Sequence, residues 1–295
     1  IKNNTFGTRR TGIYANVVTG LTIDSNLVNS CGAAATELAM YLLNTTFSTG
    51  KSIHHNTFSG TFTHGLRLEN VNDVIIGDSS VVNVELQLEP YCGINKASTR
   101  AIHLENTNRV DIEQVSLSLT GTTSGTGLYV VGGSYMRARS LTVQKRVDGI
   151  DLVSGNNHTI QCSDLSLNTD ALQIAAPVSS MTIEQNSFTG NTAYAIISAA
   201  NVKAENNYFG GAATSVVTTN GVTASVDVTP YLTTPPSGCP SSSFAEIELT
   251  GNLNLIEDGS LIPTTANFTD FNSTKISVPV VRTFTINNRG VLPLN

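Results

Sequence analysis

A repeat of 22 to 26 residues constrains the fold of this chain more than any other feature of its sequence. One short signature consists of a small residue, then Ile or Leu, then any residue and then an apolar residue. Its Ile or Leu occurs at positions 102, 128, 150, 172 and 196. A period of this size with two or three brief strands is typical of one coil of a right-handed parallel β-helix, whose coils bury apolar side chains on one another. A leucine-rich repeat has a similar period, but its leucine-dense consensus and helical return segment are not evident.

A second signature, apolar-x-x-Asn-x-apolar, alternates with the first. If equal offsets stack from coil to coil, its Asn side chains form an internal ladder at a bend, where they satisfy backbone groups that the sharp turn leaves unpaired. The apolar residues two positions later are expected to stack as a column beside this ladder. The ladder residues are Asn4, Asn26, Asn56, Asn186 and Asn207. The apolar column is Phe6, Val28, Phe58, Phe188 and Phe209.

The composition fits such a coil and argues against several kinds of partner. Gly, Asn, Ser and Thr suit the turns that take most of each coil, and only 13% of the residues are charged. A formal net charge of -6 without a run of Lys or Arg argues against a nucleic-acid partner, because such binding needs clustered cations. No stretch of ~18 uninterrupted apolar residues is present, so no membrane insertion is predicted for this segment.

Two segments interrupt the repeat. Residues 31–50 are expected to form either one lengthened coil or a short helix, and residues 83–100 are expected to form a loop that projects from the solenoid. Loops of this kind are where solenoids usually place function. The chain also begins in mid-repeat, because residues 1–6 already form a copy of the second signature, so it is expected to be a piece of a longer protein.

The character of the sequence changes after Phe209. Asn-Asn-Tyr-Phe-Gly at 206–210 and Val-x-Val-x-Pro-Tyr-Leu at 226–232 resemble the closing coil and exit segment of bacterial right-handed β-helix proteins. This resemblance covers residues 1–232 and implies a pectin-lyase-like solenoid. It implies no single function, since such folds host lyases, hydrolases, epimerases, phage tailspikes and adhesins. A linker rich in Pro, Ser and Gly follows at 233–243.

Residues 244–295 alternate apolar and polar side chains as the strands of a β-sandwich do. They resemble the opening strands of an immunoglobulin-like module of the abnormal-spindle/hydin type, known in bacteria as choice-of-anchor D, whose TDFG-like turn here reads Thr269-Asp270-Phe271-Asn272. This resemblance implies a secreted or surface-exposed bacterial protein. About 50 residues are too few for a sandwich of about 100. The remaining domains of the same polypeptide, or identical subunits in a fibre, are expected to complete the sheet.

One row of polar and aromatic residues is the candidate glycan-binding face. The row consists of the residue that follows the central Ile or Leu in each copy of the first signature. This residue is expected to face solvent because its neighbours face inward. If the coils stack in register, these residues are about 4.8 Å apart, as on the surfaces where β-helix enzymes and tailspikes hold glycans. The alternative, which the sequence favours, is a solvated sheet face without a ligand. The row consists of Arg67, His103, Tyr129, Asp151 and Gln173.

Catalysis has weaker support from the sequence. A polysaccharide hydrolase needs paired carboxylates about 5 to 9.5 Å apart, which Asp151 with Asp148 or Asp170 would supply. The pectin-cleaving families resemble one another in an Asp-Asp pair followed by Gly-His or in an Arg-x-x-Arg-x-Pro pattern, and neither is present. The sequence therefore leans away from an enzyme and predicts no cofactor.

The cysteines and histidines give no metal motif. The four cysteines lack CxxC spacing, which excludes the usual zinc-finger arrangement. Cys31 and Cys92, both in the interruptions, are a candidate disulfide, whereas Cys162 in a strand signature is predicted to be a buried small apolar residue. His54 and His55 are adjacent, and adjacent strand residues point to opposite faces. No metal site is therefore predicted.

These observations lead to one leading hypothesis and two alternatives. The leading hypothesis is a secreted cell-surface β-solenoid with a structural or adhesive role, whose partners are identical subunits in a fibre or surface glycans. The alternatives are a glycan-processing β-helix enzyme, a polysaccharide lyase or hydrolase, and a non-catalytic glycan-binding module. Two or more carboxylates that converge on the face of the candidate row would favour the enzyme.

Overall fold

The computed structural model describes residues 1–8, 11–30, 38–47, 53–60, 62–77, 81–83, 100–119, 123–210, 223, 225–237, 247–252, 254–256, 262–272 and 279–288. The chain divides into two compact units, Ile1–Cys239 and Pro240–Asn295, so the division falls inside the predicted linker. Every regular element among the described residues is a β-strand. The prediction of an all-β chain is therefore confirmed.

The first unit is a parallel β-helix, as predicted, and its widest side is an eight-stranded sheet, the long sheet. Each strand comes from a successive coil and pairs in parallel with its neighbours. The strands are β2 (Thr11–Asn16), β5 (Leu38–Leu43), β8 (His64–Glu69), β11 (Arg100–Glu105), β13 (Thr126–Val131), β15 (Asp148–Leu152), β17 (Asp170–Ile174) and β19 (Tyr194–Ser198).

Two further sheets form other sides of the coil. The second sheet consists of β3 (Ile23–Asp24), β6 (Ile53–His54), β9 (Asn72–Gly77), β12 (Asn108–Glu113), β14 (Ser134–Arg139), β16 (Thr159–Gln161) and β18 (Thr182–Glu184). The third sheet consists of β1 (Thr5–Thr8), β4 (Leu27–Ser30), β7 (Thr57–Gly60) and β10 (Val81–Asn83). A two-stranded parallel pair, β20 (Val202–Lys203) and β21 (Val226–Asp227), follows them.

Apolar stacking inside the coil explains why the repeat folds this way. The central apolar residue of the first signature occupies one register position on every strand of the long sheet, and each of these side chains is at most 4% exposed. Full burial of one such side chain contributes about 1.5–3 kcal/mol, so the column holds the coils in one register. The column is Ile13, Met40, Leu66, Ile102, Leu128, Ile150, Leu172 and Ile196.

The predicted asparagine ladder is confirmed. The backbone N–H and the side-chain amide of Asn26 both donate to Asn56 Oδ1, each at 3.0 Å. Asn186 donates to Asn207 Oδ1 in the same way, at 2.9 and 3.0 Å. All four side chains are buried, so the ladder satisfies backbone groups that water does not reach. The apolar column beside it is buried at Val28, Phe58, Phe188 and Phe209.

Within the first interruption, residues 31–37 and 48–50 lie outside the described part of the chain, so the choice between a lengthened coil and a short helix stays open. Residues 38–43 form β5, a strand of the long sheet in which Ala39 and Met40 are fully buried. Ala-Met-Tyr-Leu is a further copy of the first signature, with Met in place of Ile or Leu. In the second interruption, residues 84–99 lie outside the described part of the chain.

The second unit contains a three-stranded antiparallel sheet within its described residues. Its strands are β22 (Ile247–Gly251), β23 (Asn254–Ile256) and β24 (Phe284–Asn288), with β22 in the middle. The immunoglobulin-like identity of residues 244–295 stays a prediction.

Candidate functional site

The five residues of the candidate face lie in one column across the outer surface of the long sheet. Arg67 and Tyr129 are the partners of His103 on either side, and Asp151 stands between Tyr129 and Gln173. The residues therefore pair in register from strand to strand, and a spacing of about 4.8 Å is usual for neighbouring strands in such a sheet. Other strands extend this outer column with Tyr14, Tyr41 and Ile197.

A flanking column lies on the same surface, and of its members the sequence singles out only Asp148 and Asp170, as carboxylate partners of Asp151. In β11, β15 and β17 the small residue of the signature and the apolar residue after it are both buried. The residue before the small one is therefore on the outer surface, three positions ahead of the outer column. In the sequence, each residue of this flanking column is recognisable as the one directly before the Gly or Ala of the first signature. The flanking column includes His64, Arg100, Thr126, Asp148, Asp170 and Tyr194.

His103 departs from the prediction that the outer column faces solvent, because it is only 5% exposed. The ring of His64 stacks on it with centroids 5.0 Å apart, and Tyr129 meets it edge-on at 4.9 Å. Burial, reinforced by the positive charges of Arg100 and Arg67, lowers the pKa of His64 to about 4 and that of His103 to about 3. Both imidazoles are therefore neutral at pH 7 and pack as aromatic groups.

Arg67 belongs to an ion-pair network at one end of the face. Its Nη2 donates to Glu69 Oε2 at 2.9 Å and to Glu105 Oε2 at 2.8 Å. The Tyr41 hydroxyl donates to the same Glu69 oxygen at 2.6 Å, and the guanidinium lies 5.1 Å from the centroid of the Tyr41 ring. Burial and the Glu69 carboxylate raise the pKa of Tyr41 to about 12. Arg67 therefore holds neighbouring side chains in place.

The other end of the face carries three carboxylates and one amide, the acidic cluster of Asp148, Asp151, Asp170 and Gln173. Gln173 Nε2 donates to Asp148 Oδ1 at 2.5 Å and to Asp170 Oδ2 at 3.2 Å. Burial and the charge of Asp170 raise the pKa of Asp148, and a hydrogen bond from Thr126 offsets only part of this shift. Burial and the charge of Asp148 likewise raise the pKa of Asp151. The cluster therefore groups several hydrogen-bond acceptors, and two of its carboxyl groups, Asp148 and Asp151, take up protons more readily than usual.

Aromatic rings border the acidic cluster. The Arg100 guanidinium lies 3.4 Å from the centroid of the Tyr129 ring. The backbone N–H of Tyr194 donates to Asp170 Oδ1 at 3.1 Å, and Tyr194 is 39% exposed. Carboxylates and amides accept hydrogen bonds from hydroxyl groups, and an aromatic ring packs against apolar C–H surface. These are the two kinds of contact that a sugar ring needs.

Cys162 corrects the prediction of a buried apolar residue. It is half-buried, has a positive φ of 53° and is in a disulfide bond. The strand ends one residue earlier, at Gln161, so Cys162 occupies the bend and not the core. Cys31, Cys92 and Cys239 lie outside the described residues, and the pairing of Cys31 with Cys92 stays a prediction.

His54 and His55 do not point to opposite faces. Strand β6 ends at His54, and His55 has a left-handed backbone with φ of 52°. Both imidazoles approach Asp24, and these three side chains have metal-ligand spacing on the second sheet. Burial raises the pKa of Asp24, but hydrogen bonds from Ser25, His55 and Lys2, together with the charge of His54, bring it down to about 2.

Two further findings concern the chain as a whole. Within its described residues, no helix has the length and apolar character needed to cross a bilayer. Comparison of the chain with protein-family models, curated proteins and solved structures finds no match. The function therefore has to be inferred from the geometry of the site.

Proposed function

We propose that this chain is a secreted cell-surface β-solenoid that binds glycans along the outer face of its long sheet. The observation that carries this proposal is the acidic cluster, bordered by the rings of Tyr129 and Tyr194. Grouped carboxylates repel anions and accept hydrogen bonds from neutral hydroxyl groups. A polymer rich in hydroxyl groups fits such a surface, and a nucleic acid does not.

The repeat of the sheet favours an extended ligand. Outer-column residues recur once per strand, about every 4.8 Å, so successive units of a linear polysaccharide would meet successive side chains. Most residues of the outer column are half-buried. Their neighbours therefore fix their conformation in the absence of a ligand. A pre-organised surface loses less conformational entropy on binding.

The proposed location and architecture have separate support. The disulfide bond at Cys162 suits an oxidising compartment, as expected of an extracellular protein. We propose that residues 244–295 begin an immunoglobulin-like module that connects the solenoid to the remaining domains of a longer bacterial surface protein. The antiparallel sheet of β22, β23 and β24 supports this module.

Screening on a glycan array, followed by titration of the best ligand, tests the binding proposal. Tyr129→Ala, Asp151→Ala and Gln173→Ala are each expected to weaken binding about tenfold or more, which corresponds to ~1.4 kcal/mol. Gln161→Ala is the matched control, because Gln161 also donates its amide to a carboxylate, that of Glu184, but lies on the second sheet. The absence of any glycan ligand, or equal losses in Gln161→Ala and Gln173→Ala, would contradict the proposal.

A second candidate function is hydrolysis of the bound glycan. Because one Gln173 nitrogen contacts both Asp148 and Asp170, their nearest oxygens are no more than about 5.7 Å apart, which is compatible with the ~5–5.5 Å of a retaining hydrolase and too close for an inverting one. The raised pKa of Asp148 suits a general acid, which must hold a proton until the leaving oxygen takes it. Asp170 would then serve as the nucleophile.

Release of reducing ends from the polysaccharides that bind tests this second function. Asp148→Asn and Asp170→Asn are each expected to lower the rate by about 100-fold or more while binding persists, as is usual for loss of an acid or base. Glu184→Gln, on the second sheet, is expected to leave the rate unchanged. If the wild-type protein binds a polysaccharide and never cleaves it, the chain is a binding module only.

A further inference from the structure

Three side chains at one end of the second sheet converge on a single point. The Nδ1 atoms of His54 and His55 are 3.2 Å apart. Asp24 Oδ1 lies 3.0 Å from His54 Nδ1 and 3.2 Å from His55 Nδ1. The three atoms therefore form a nearly equilateral triangle, on a different sheet from the proposed glycan face.

The fold brings these residues together through register and one turn. Asp24 and His54 are direct partners on the adjacent strands β3 and β6, and Ile23 and Ile53 before them are fully buried, so Asp24 and His54 face outward. The left-handed conformation of His55 breaks the strand alternation and turns its ring toward the same point. This is why adjacent histidines share a site here.

The asparagine ladder holds the turn in this conformation. Asn56 follows His55, and its side-chain amide donates to the carbonyls of His54 at 2.8 Å and Ile23 at 3.0 Å. The Ser25 N–H donates to the same His54 carbonyl at 3.1 Å. Since Asn56 is fully buried, the backbone that carries both imidazoles is fixed from inside the coil.

The triangle has the dimensions of a metal coordination face. A tetrahedral Zn²⁺ with bonds of ~2.0–2.1 Å to His nitrogen and ~2.0–2.2 Å to carboxylate oxygen holds its ligand atoms about 3.3 Å apart. The observed sides of 3.0, 3.2 and 3.2 Å are close to this value. Hydrogen bonds alone explain this arrangement less well. The two histidine N–H groups form at most two hydrogen bonds among the three atoms, whereas one bound cation contacts all three.

The surroundings support a bound cation with an open position. Ser25 Oγ donates to Asp24 Oδ1 at 2.8 Å, and the Lys2 ammonium lies 3.4 Å from the other carboxylate oxygen. These contacts orient the carboxylate, as outer partners of metal ligands do. The His55 side chain is 48% exposed, so solvent or a substrate group has access to one side of the triangle.

We infer that Asp24, His54 and His55 form a binding site for a divalent transition metal, Zn²⁺ in the first instance. Three protein ligands with access to solvent resemble the arrangement of zinc sites that keep a fourth position for water. Imidazole nitrogens select such metals over Mg²⁺ and Ca²⁺, which prefer oxygen ligands.

Titration calorimetry of Zn²⁺ into the tag-free, chelator-treated chain tests the inference. One Zn²⁺ per chain is expected to bind, and His54→Ala, His55→Ala and Asp24→Asn are each expected to weaken binding by about 100-fold or more. Ser25→Ala, which removes only an outer partner, is expected to cost ~10-fold. The matched control is Glu184→Gln, because Glu184 occupies the register position of Asp24 in the last strand of the same sheet.

X-ray absorption of the zinc complex provides a readout that does not depend on the variants. Two imidazole nitrogens and at least one oxygen are expected around the metal at ~2.0–2.2 Å. Circular dichroism of each variant checks that the β-helix is retained. The inference is overturned if the wild-type chain shows no saturable Zn²⁺ binding, if the three ligand variants bind as tightly as Glu184→Gln, or if the spectrum contains fewer than two imidazoles.

Discussion

Lowering the pH from 7 to 4 is expected to reduce the free energy of unfolding by about 3 kcal/mol or more, because buried histidines are neutral in the folded chain. His158 is 1% exposed, and burial lowers its pKa to about 4 despite a backbone hydrogen bond with Ser154 that raises it. The unfolded chain takes up this proton near pH 6.5, and the folded chain takes it up only near pH 4. The stability is therefore complete above pH 6.5 and is lost as the pH falls toward 4. His64 and His103 act in the same direction.

Urea unfolding at a series of pH values, for the wild type and His158→Asn, measures this effect. The Nδ1 atom of His158 accepts the backbone N–H of Met136 at 3.3 Å, and an Asn oxygen provides a similar acceptor without a titrating ring. The variant is expected to show a shallower fall in stability between pH 6.5 and 4 than the wild type. Parallel curves for the two proteins would contradict the pKa assigned to His158. The raised pKa values of Asp148 and Asp151 oppose the fall equally in both proteins.

Replacing one rung of the asparagine ladder is expected to destabilise the whole coil. Asn186→Ala removes the acceptor of the Ser163 N–H at 2.9 Å and the donor to the Ile160 carbonyl at 2.8 Å. Both partners are inside the coil, and each buried polar group left without a partner costs about 1–3 kcal/mol. A loss of about 3 kcal/mol in the free energy of unfolding is therefore expected for Asn186→Ala.

Asn201→Ala is the control for the ladder, because Asn201 is exposed one coil away. Surface substitutions usually change stability by less than about 0.5 kcal/mol. Urea unfolding of both variants at pH 7 gives the comparison. If Asn186→Ala lowers the free energy of unfolding no more than Asn201→Ala does, the hydrogen bonds of the ladder do not stabilise the coil.

The parts of the fold that repeat were predictable from the sequence. The coil needs the same kind of side chain at the same offset in each turn, so Leu128 and Ile150, or Asn186 and Asn207, identify their own partners by spacing alone. The register of the outer column follows from the same rule. Strand β5 was not predicted, because its central residue is Met40 and the signature admits only Ile or Leu at that position.

The features that the sequence did not predict depend on bends and on contacts between coils. His55 and Cys162 both have a left-handed backbone, which breaks the strand alternation at each position. As a result, His55 joins Asp24 and His54, and Cys162 lies outside the core. The burial of His103 comes from His64 and Tyr129 on neighbouring strands, and a rule based on one strand cannot include them. Arg100 lies on the outer surface because the two residues after it, Ala101 and Ile102, are both buried.

A crystal structure of the chain with the best ligand from the array tests whether the acidic cluster and its aromatic border bind a glycan. Sugar density is expected along the outer face of the long sheet, with hydroxyl groups in hydrogen-bond distance of Asp151 and Gln173 and a ring packed near Tyr129. Sugar bound only on another face of the coil, or only on the unit formed by residues 240–295, would contradict it.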